Sequence, residues 1–291
     1  MIMSDKDTKI GKKRISILGC GWLGFPLAQR LIADDISSEV KGSTTSSDKI
    51  KQFAESGIEG FLFNLSPELA GEHARITSFF NTDVLVIAIP PKLAKNDPDF
   101  HPRQIQSVIE FIKTSPVKEI IYISSTSIYP DLNRIVTEDD VTTPEQSAAP
   151  AMVEAEQLLM GLRGGRTVSI LRHGGLLGYN RIPGKYVKGQ KDLTTGTIPV
   201  NYIHRDDAAG IIATIIQNGV LNETFNIVAP QHPTRRTVYE KSCTQFGWEP
   251  PTFAAAETTQ AFKTISAAKL SNFYTYTFQY PDPLDFYYEE G

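Results

Sequence analysis

A chain of 291 residues is long enough for one large domain or two modest ones, with a sizeable core. With 41% hydrophobic and 21% charged residues, it has the composition of a soluble globular protein. A formal net charge of −4 leaves no basic excess to attract nucleic acid or an anionic membrane surface.

Met1–Lys12 is polar and has no apolar core resembling a signal peptide. No window approaches the ~20 apolar residues of a spanning helix, so a cytoplasmic protein is expected. Residues 1–13 read as a disordered tail. Cys20 and Cys243 cannot build a disulfide framework and read as small core residues.

After the tail, Arg14–Leu18 reads as a buried strand ended by Gly19. Leu23, Leu27 and Leu31 then recur at helical spacing, with Pro26 tolerated in the first turn. Val40–Ser43 is a short strand, and Lys49–Ser56 a helix stopped by Gly57 in a left-handed cap. Ile58–Phe63 is a third strand. Ser66-Pro67-Glu68 then has the signature of a helix start, with a cap, a proline and an acid in order. Asp83–Ile89 and Glu119–Ser124 are continuous apolar runs, as parallel strands covered on both faces require. Helices are expected at Gln104–Lys113 and Val153–Leu162, and a strand at Thr167–Leu171.

Strands alternating with helices predict an α/β fold, a doubly wound parallel sheet of the Rossmann type. Beyond Arg172 the alternation loosens. A helix at Asp206–Gln217 and a strand at Thr224–Val228 are expected to return to the sheet. The nucleotide-binding domain is therefore read as 14–171 plus 201–228. A small α+β lobe, 172–200 plus 229–291, carries the substrate side.

Gly19-Cys20-Gly21-Trp22-Leu23-Gly24 is a G-x-G-x-x-G motif, weak evidence alone. Here it follows a predicted strand and opens a helix inside a β-α-β unit spanning 14–43, the context the motif needs. Gly19 allows the tight turn, Gly21 close approach to a pyrophosphate, and Gly24 packing of helix on strand. A glycine-rich turn without ligand is the structural alternative.

An NAD site usually carries an acid at the end of the second strand, for the ribose 2′-hydroxyl. This chain instead has Ser43, Thr44, Thr45 and Ser46, and its first carboxylate there is Asp48. Four hydroxyls without an acid favour a 2′-phosphate, hence NADP, with NAD left open. Lys49 adds charge or is a solvated surface lysine. Ala88, Ile89, Pro90, Ser124 and Arg172, at later strand ends, complete the expected cofactor set.

The glycine loop is joined by Tyr122-Ile-Ser-Ser-Thr-Ser-Ile-Tyr-Pro130, Ile170-Leu-Arg-His-Gly-Gly-Leu-Leu-Gly178 and Tyr202-Ile-His-Arg-Asp-Asp-Ala208. In that order the chain resembles the extended and atypical short-chain dehydrogenase/reductases, the NAD-dependent epimerase/dehydratase group. The resemblance covers nearly the whole chain. It implies a Ser or Thr, a Tyr and a Lys four residues later, which move a proton while hydride passes to or from nicotinamide. Ser125 matches the first position. Matching Glu156 to the family's acid places Ala148 and Met152 where the Tyr and Lys should stand. No Tyr-x-x-x-Lys occurs in the chain.

Three explanations follow. The protein is a redox enzyme with a substitute proton donor, for which Tyr129 and His173 are the candidates beside Ser125. Alternatively it binds NADP(H) without turnover, as a sensor or scaffold, or it uses the fold for another ligand. Tyr129 also reads as a packed residue, and His173 as a structural histidine.

On the substrate side, Arg181, Lys185, Lys188 and Lys191 place cations in a Gly-rich loop. They read either as a site for an anionic small molecule or as a solvated surface. Asn201 and His204 border the pocket implied by the resemblance. Asp206 and Asp207 are expected to cap the next helix, and Thr234 another. The histidines lack metal-ligand spacing, so no metal is expected. The aromatic tail, Phe273 to Tyr288, reads as a terminal strand plus docking segment, or as a dimer surface. A monomer or homodimer fits equally.

Overall fold

The computed structural model describes residues 11–91, 97–255 and 260–290; most of the expected tail lies outside them. The chain opens with β1 (Lys13–Leu18), α1 (Gly24–Ala33), β2 (Ser37–Thr44), α2 (Asp48–Glu55) and β3 (Glu59–Leu62). The short strands β4 (Asn64–Leu65) and β5 (Leu69–Ala70) precede α3 (His73–Phe80), β6 (Val84–Ile87) and α4 (Phe100–Lys113). Next come β7 (Glu119–Ser125), β8 (Arg134–Val136), α5 (Pro150–Met160), β9 (Thr167–His173) and β10 (Gly175–Leu177). The chain continues through β11 (Tyr202–His204), α6 (Arg205–Asn218) and β12 (Thr224–Ile227) to α7 (Arg235–Gln245), β13 (Lys263–Ile265) and α8 (Ala268–Phe273).

Seven strands form one parallel sheet in the order β12-β9-β7-β6-β1-β2-β3, the doubly wound Rossmann-type arrangement expected. The chain runs outward from β1 through β2 to β3 and then returns to place β6 on the other side of β1. That reversal opens a crevice beyond the carboxyl ends of β1 and β6, where Leu18 pairs with Ile87. The two faces explain the apolar runs. Leu27, Leu31, Ile212 and Phe225 fill one side, under α1 and α6. Phe79, Ile105, Val108 and Leu159 fill the other, under α3, α4 and α5. Each such buried side chain contributes roughly 1.5–3 kcal/mol of transfer free energy. No helix among the described residues is long and apolar enough to cross a membrane.

Three local expectations are corrected. Ser66-Pro67-Glu68 opens no helix; it is the turn of a two-strand hairpin, with a cis Ser66–Pro67 bond, and α3 begins at His73. Tertiary contacts decide this, because Leu69 is buried and its N–H donates to Ser107 Oγ at 2.9 Å.

The cap of α6 is His204, whose Nδ1 accepts the Asp206 N–H at 3.2 Å. Asp207 is instead fully buried and gathers the C-terminal segment. Its carboxylate accepts from Tyr276 Oη at 2.9 Å, the Gln279 N–H at 2.7 Å and the Tyr280 N–H at 2.9 Å. The aromatic tail accordingly docks through side chains and makes no terminal strand, only an isolated bridge between Tyr179 and Tyr288. Thr234 caps α7 as expected.

Replacing Asp207 with Ala strands two backbone N–H groups and a phenol. At about 1–3 kcal/mol per stranded group, with partial rehydration, the loss should be about 3 kcal/mol in urea unfolding. New protease cleavage should appear between 274 and 290. An unchanged midpoint and cleavage pattern would contradict the anchoring role.

Candidate dinucleotide site

The turn after β1 is built for glycine at two of its three positions. Gly19 has φ +92°, and a Cβ there would lie 2.8 Å from Ala88 O. A Cβ on Gly24 would lie 2.8 Å from Gly19 O, so the start of α1 can rest on the turn only without a side chain. Gly21 differs. The nearest atom to its Cβ would be 4.0 Å away, so the protein's own packing does not demand glycine there. What glycine leaves at this position is open space beside a half-buried turn, next to a helix start with no acid in its first turn.

Ser43, at the end of β2, clasps the loop. Its Oγ accepts the Gly19 N–H at 2.8 Å and its carbonyl accepts the Cys20 N–H at 2.8 Å. Cys20 is buried, and burial pushes its thiol up to about 12, which makes it inert packing.

A cavity of about 480 Å³ lies over these strand ends. It runs from Thr44, Thr45 and Lys49, across the glycine loop, to Ser124, Ser125 and Met152. Ala88, Ile89 and Pro90 also line it. Ser46 does not, although its N–H donates to Thr44 Oγ1 at 3.1 Å. Among the described residues its charged lining groups are Lys49 and Arg181, with no carboxylate.

Of the expected catalytic trio, the structure brings only Ser125 to this cavity. Its Oγ accepts the Ser127 N–H at 3.1 Å and keeps its own proton to donate. Tyr129 is fully buried outside the lining. Its hydroxyl donates to Asn226 Oδ1 at 2.7 Å and accepts from Arg172 Nη1 at 2.8 Å. Burial pushes that phenol up to about 12. His173 ends β9, also outside the lining, with Nδ1 3.0 Å from Leu171 O and Nε2 buried without a hydrogen-bond partner among the described residues. Met152, matched to the family's lysine, lines the cavity, while the Ala148 N–H holds Ile128 O at 2.8 Å.

Arg172, expected at the cofactor, lies inside the protein. Its Nη2 is 2.8 Å from Glu156 Oε2, and its Nε is 3.2 Å from Oε1. Nη1 also donates to Glu138 O at 3.0 Å, and Nη2 to Val141 O at 3.0 Å. With the Tyr129 bond, all five guanidinium N–H groups are used. Ser124 lines the cavity, but its hydroxyl donates to Glu156 Oε1 at 2.5 Å. Sequence reasoning missed this node. Its signal was a charge on the apolar face of each of two neighbouring elements, which is tolerated only as a pair.

On the substrate side only Arg181 reaches the cavity. Lys185 is exposed outside the lining. Asn201 staples β13, donating to Lys263 O at 2.9 Å and accepting the Ile265 N–H at 2.7 Å. His204 is fully buried, its ring centroid 4.0 Å from that of Tyr280 and 5.4 Å from that of Phe286. Among the described residues no cluster of His, Cys, Asp or Glu could hold a metal ion.

The sheet order and the glycine turn at its switch point make the Rossmann-type fold that this chain shares with the solved structures described below. The chain belongs to the family of protein YeeZ of Escherichia coli K12; the two are 33% identical over 272 residues, covering 94% of this chain and 98% of that protein. No family model matches the chain. The solved UDP-Glc/GlcNAc 4-epimerase of Campylobacter jejuni shares the fold, with a TM-score of 0.74 at 16% identity over 94% of this chain and 96% of its own. A short-chain dehydrogenase/reductase superfamily protein of Agrobacterium tumefaciens, solved with bound NAD, has a TM-score of 0.69 at 14% identity, over 89% and 90%.

Burial lowers the His173 pKa from 6.5 to about 4. Below pH 6.5 the unfolded chain therefore takes up a proton that the folded chain refuses. The contribution of neutral His173 is complete above pH 6.5 and is lost as pH falls toward 4, about 3 kcal/mol in all. A His173→Gln variant should lose that part of the acid sensitivity in urea unfolding measured between pH 7 and 4. Parallel pH profiles for the two proteins would refute the burial argument.

Proposed function

We propose that the chain is an NADP(H)-binding protein, and an oxidoreductase or epimerase-like enzyme of atypical mechanism acting on a small molecule. One observation carries the binding: the glycine turn, with Gly21 uncrowded by protein atoms, lines a cavity over the strand ends. The 2′-phosphate preference rests on Thr44, Thr45 and Lys49 in a lining without carboxylates among the described residues. A 2′-phosphate meets hydroxyl donors and a cation there, and no like charge opposes it. Ser43 supports this indirectly, by holding the loop. Residues 172–200 and 229–291 serve, in the same reading, as the lobe on the substrate side.

When bound, the nicotinamide would supply or accept hydride. Ser125, which lines the cavity, would donate a hydrogen bond to a substrate oxygen. Tyr129 and His173 act on the cleft only through the scaffold, since both are buried outside it.

The positions of those two residues favour one second reading, a sensor that binds NADP(H) without turnover. Stopped-flow absorbance of bound NADPH against sugar nucleotides and small carbonyls separates the readings. For the enzyme, one class of compound oxidises NADPH, and Ser125→Ala slows it about 10-fold or more. Tyr129→Phe and His173→Gln should leave the step within about twofold, if the protein folds normally. NADPH that persists over the whole panel would establish the sensor instead.

A further inference from the structure

Arg181 stands in the segment that follows β10 and contributes one of the two cations of the cavity lining. Its guanidinium is half-buried, and among the described residues no side chain or carbonyl accepts a hydrogen bond from it. It rests on the Trp22 ring, 4.0 Å from the centroid. Trp22 belongs to the glycine loop, and its Nε1–H donates to Asn180 Oδ1 at 3.0 Å. Two adjacent residues of this segment therefore hold the turn after β1 by one side chain.

The surrounding charges leave Arg181 uncompensated. Arg205 lies 5.2 Å from the same Trp22 ring and 3.6 Å from the ring of Tyr179. Asp206, next to Arg205 in the chain, accepts from Tyr179 Oη at 2.7 Å and sits 3.5 Å from Arg205 Nε. Its charge is thus shared between those two groups. Burial pushes the Arg181 guanidinium down from its ordinary value; the Tyr186 hydroxyl opposes this, and the Arg205 charge adds to it. A guanidinium lying over an aromatic ring still offers N–H groups whose fork geometry matches phosphate oxygens.

We propose that Arg181 binds the diphosphate of the dinucleotide, adding a side-chain cation to the backbone N–H groups of the glycine loop. This rests on the NADP(H) reading above and deepens it. The glycine loop and Trp22 place the anion and the cation on one wall of the cavity. Lys49 lines the same cavity near the end of β2, so a ligand with anionic groups at two places finds a cation for each. Cofactor binding is then coupled to the position of the segment after β10.

The test is calorimetric titration of the full chain with NADPH and with adenosine 2′-monophosphate, which lacks the diphosphate. Arg181→Ala should weaken NADPH by about 10- to 100-fold and leave adenosine 2′-monophosphate within twofold. Arg181→Lys should recover part of the loss. An unchanged NADPH affinity would overturn the proposal, as would an equal loss for both nucleotides, the mark of a damaged loop. Weakened UDP-glucose binding with NADPH unaffected would also overturn it, by assigning Arg181 to a second diphosphate ligand. Wild-type protein that binds NADPH not at all would remove the NADP(H) reading itself, and this inference with it.

Discussion

The Glu156–Arg172 ion pair organises the end of the cavity farthest from β2. Removing two charges from water costs several kcal/mol per ion, so such a pair survives only with every hydrogen bond made. Here the guanidinium has no free N–H, and one partner lies on α5 while the other lies in β9. Through Tyr129 and Asn226 the same network reaches β12, and through Ser124 it reaches β7. Removing either charge would strand the other at a cost of about 3–5 kcal/mol. The node takes Tyr129, Arg172 and the Ser124 hydroxyl into the scaffold, while Ser124, Ser125 and Met152 line the cavity.

At the opposite end the controlling constraint is the contact of Gly19 with Ala88. It fixes β1 against the segment after β6, while Ser43 fixes it against β2. Those contacts leave the Cβ side of Gly21 uncrowded. The cleft has a lining whose charged groups, among the described residues, are both cations. Most residues expected at the cofactor line the cavity, Ser46 and Arg172 excepted, while two of the three expected for proton transfer are locked in the core.

The strand–turn–helix at 14–43 was legible because its demands are local: a turn at positive φ, a backbone that must be approached, a helix that must rest on a strand. The parallel sheet was legible for a related reason, since runs such as Val84–Ile87 are apolar on both faces. What escaped the sequence depends on residues distant in the chain. Ser66-Pro67-Glu68 carries a helix-start signal, yet Leu69 is drawn to the core and to Ser107, 38 residues away. Asp207 reads as a helix cap until the backbone of Gln279 and Tyr280 is seen to close on it. Arg172 at a strand end reads as a cofactor ligand until Glu156 is found facing it. Arg181 was legible as a cation near the cleft, whereas its stacking on Trp22 was not.

The account stands most directly on calorimetric comparison of NADPH and NADH binding to the wild-type chain and to Gly21→Val. NADPH should bind at least about 10-fold more tightly than NADH, the worth of one charge-assisted contact. The valine should abolish both, with the thermal midpoint unchanged because no protein atom crowds that Cβ. Equal affinities or a preference for NADH would contradict the role given to Thr44, Thr45 and Lys49. Undiminished binding to Gly21→Val would contradict the site itself.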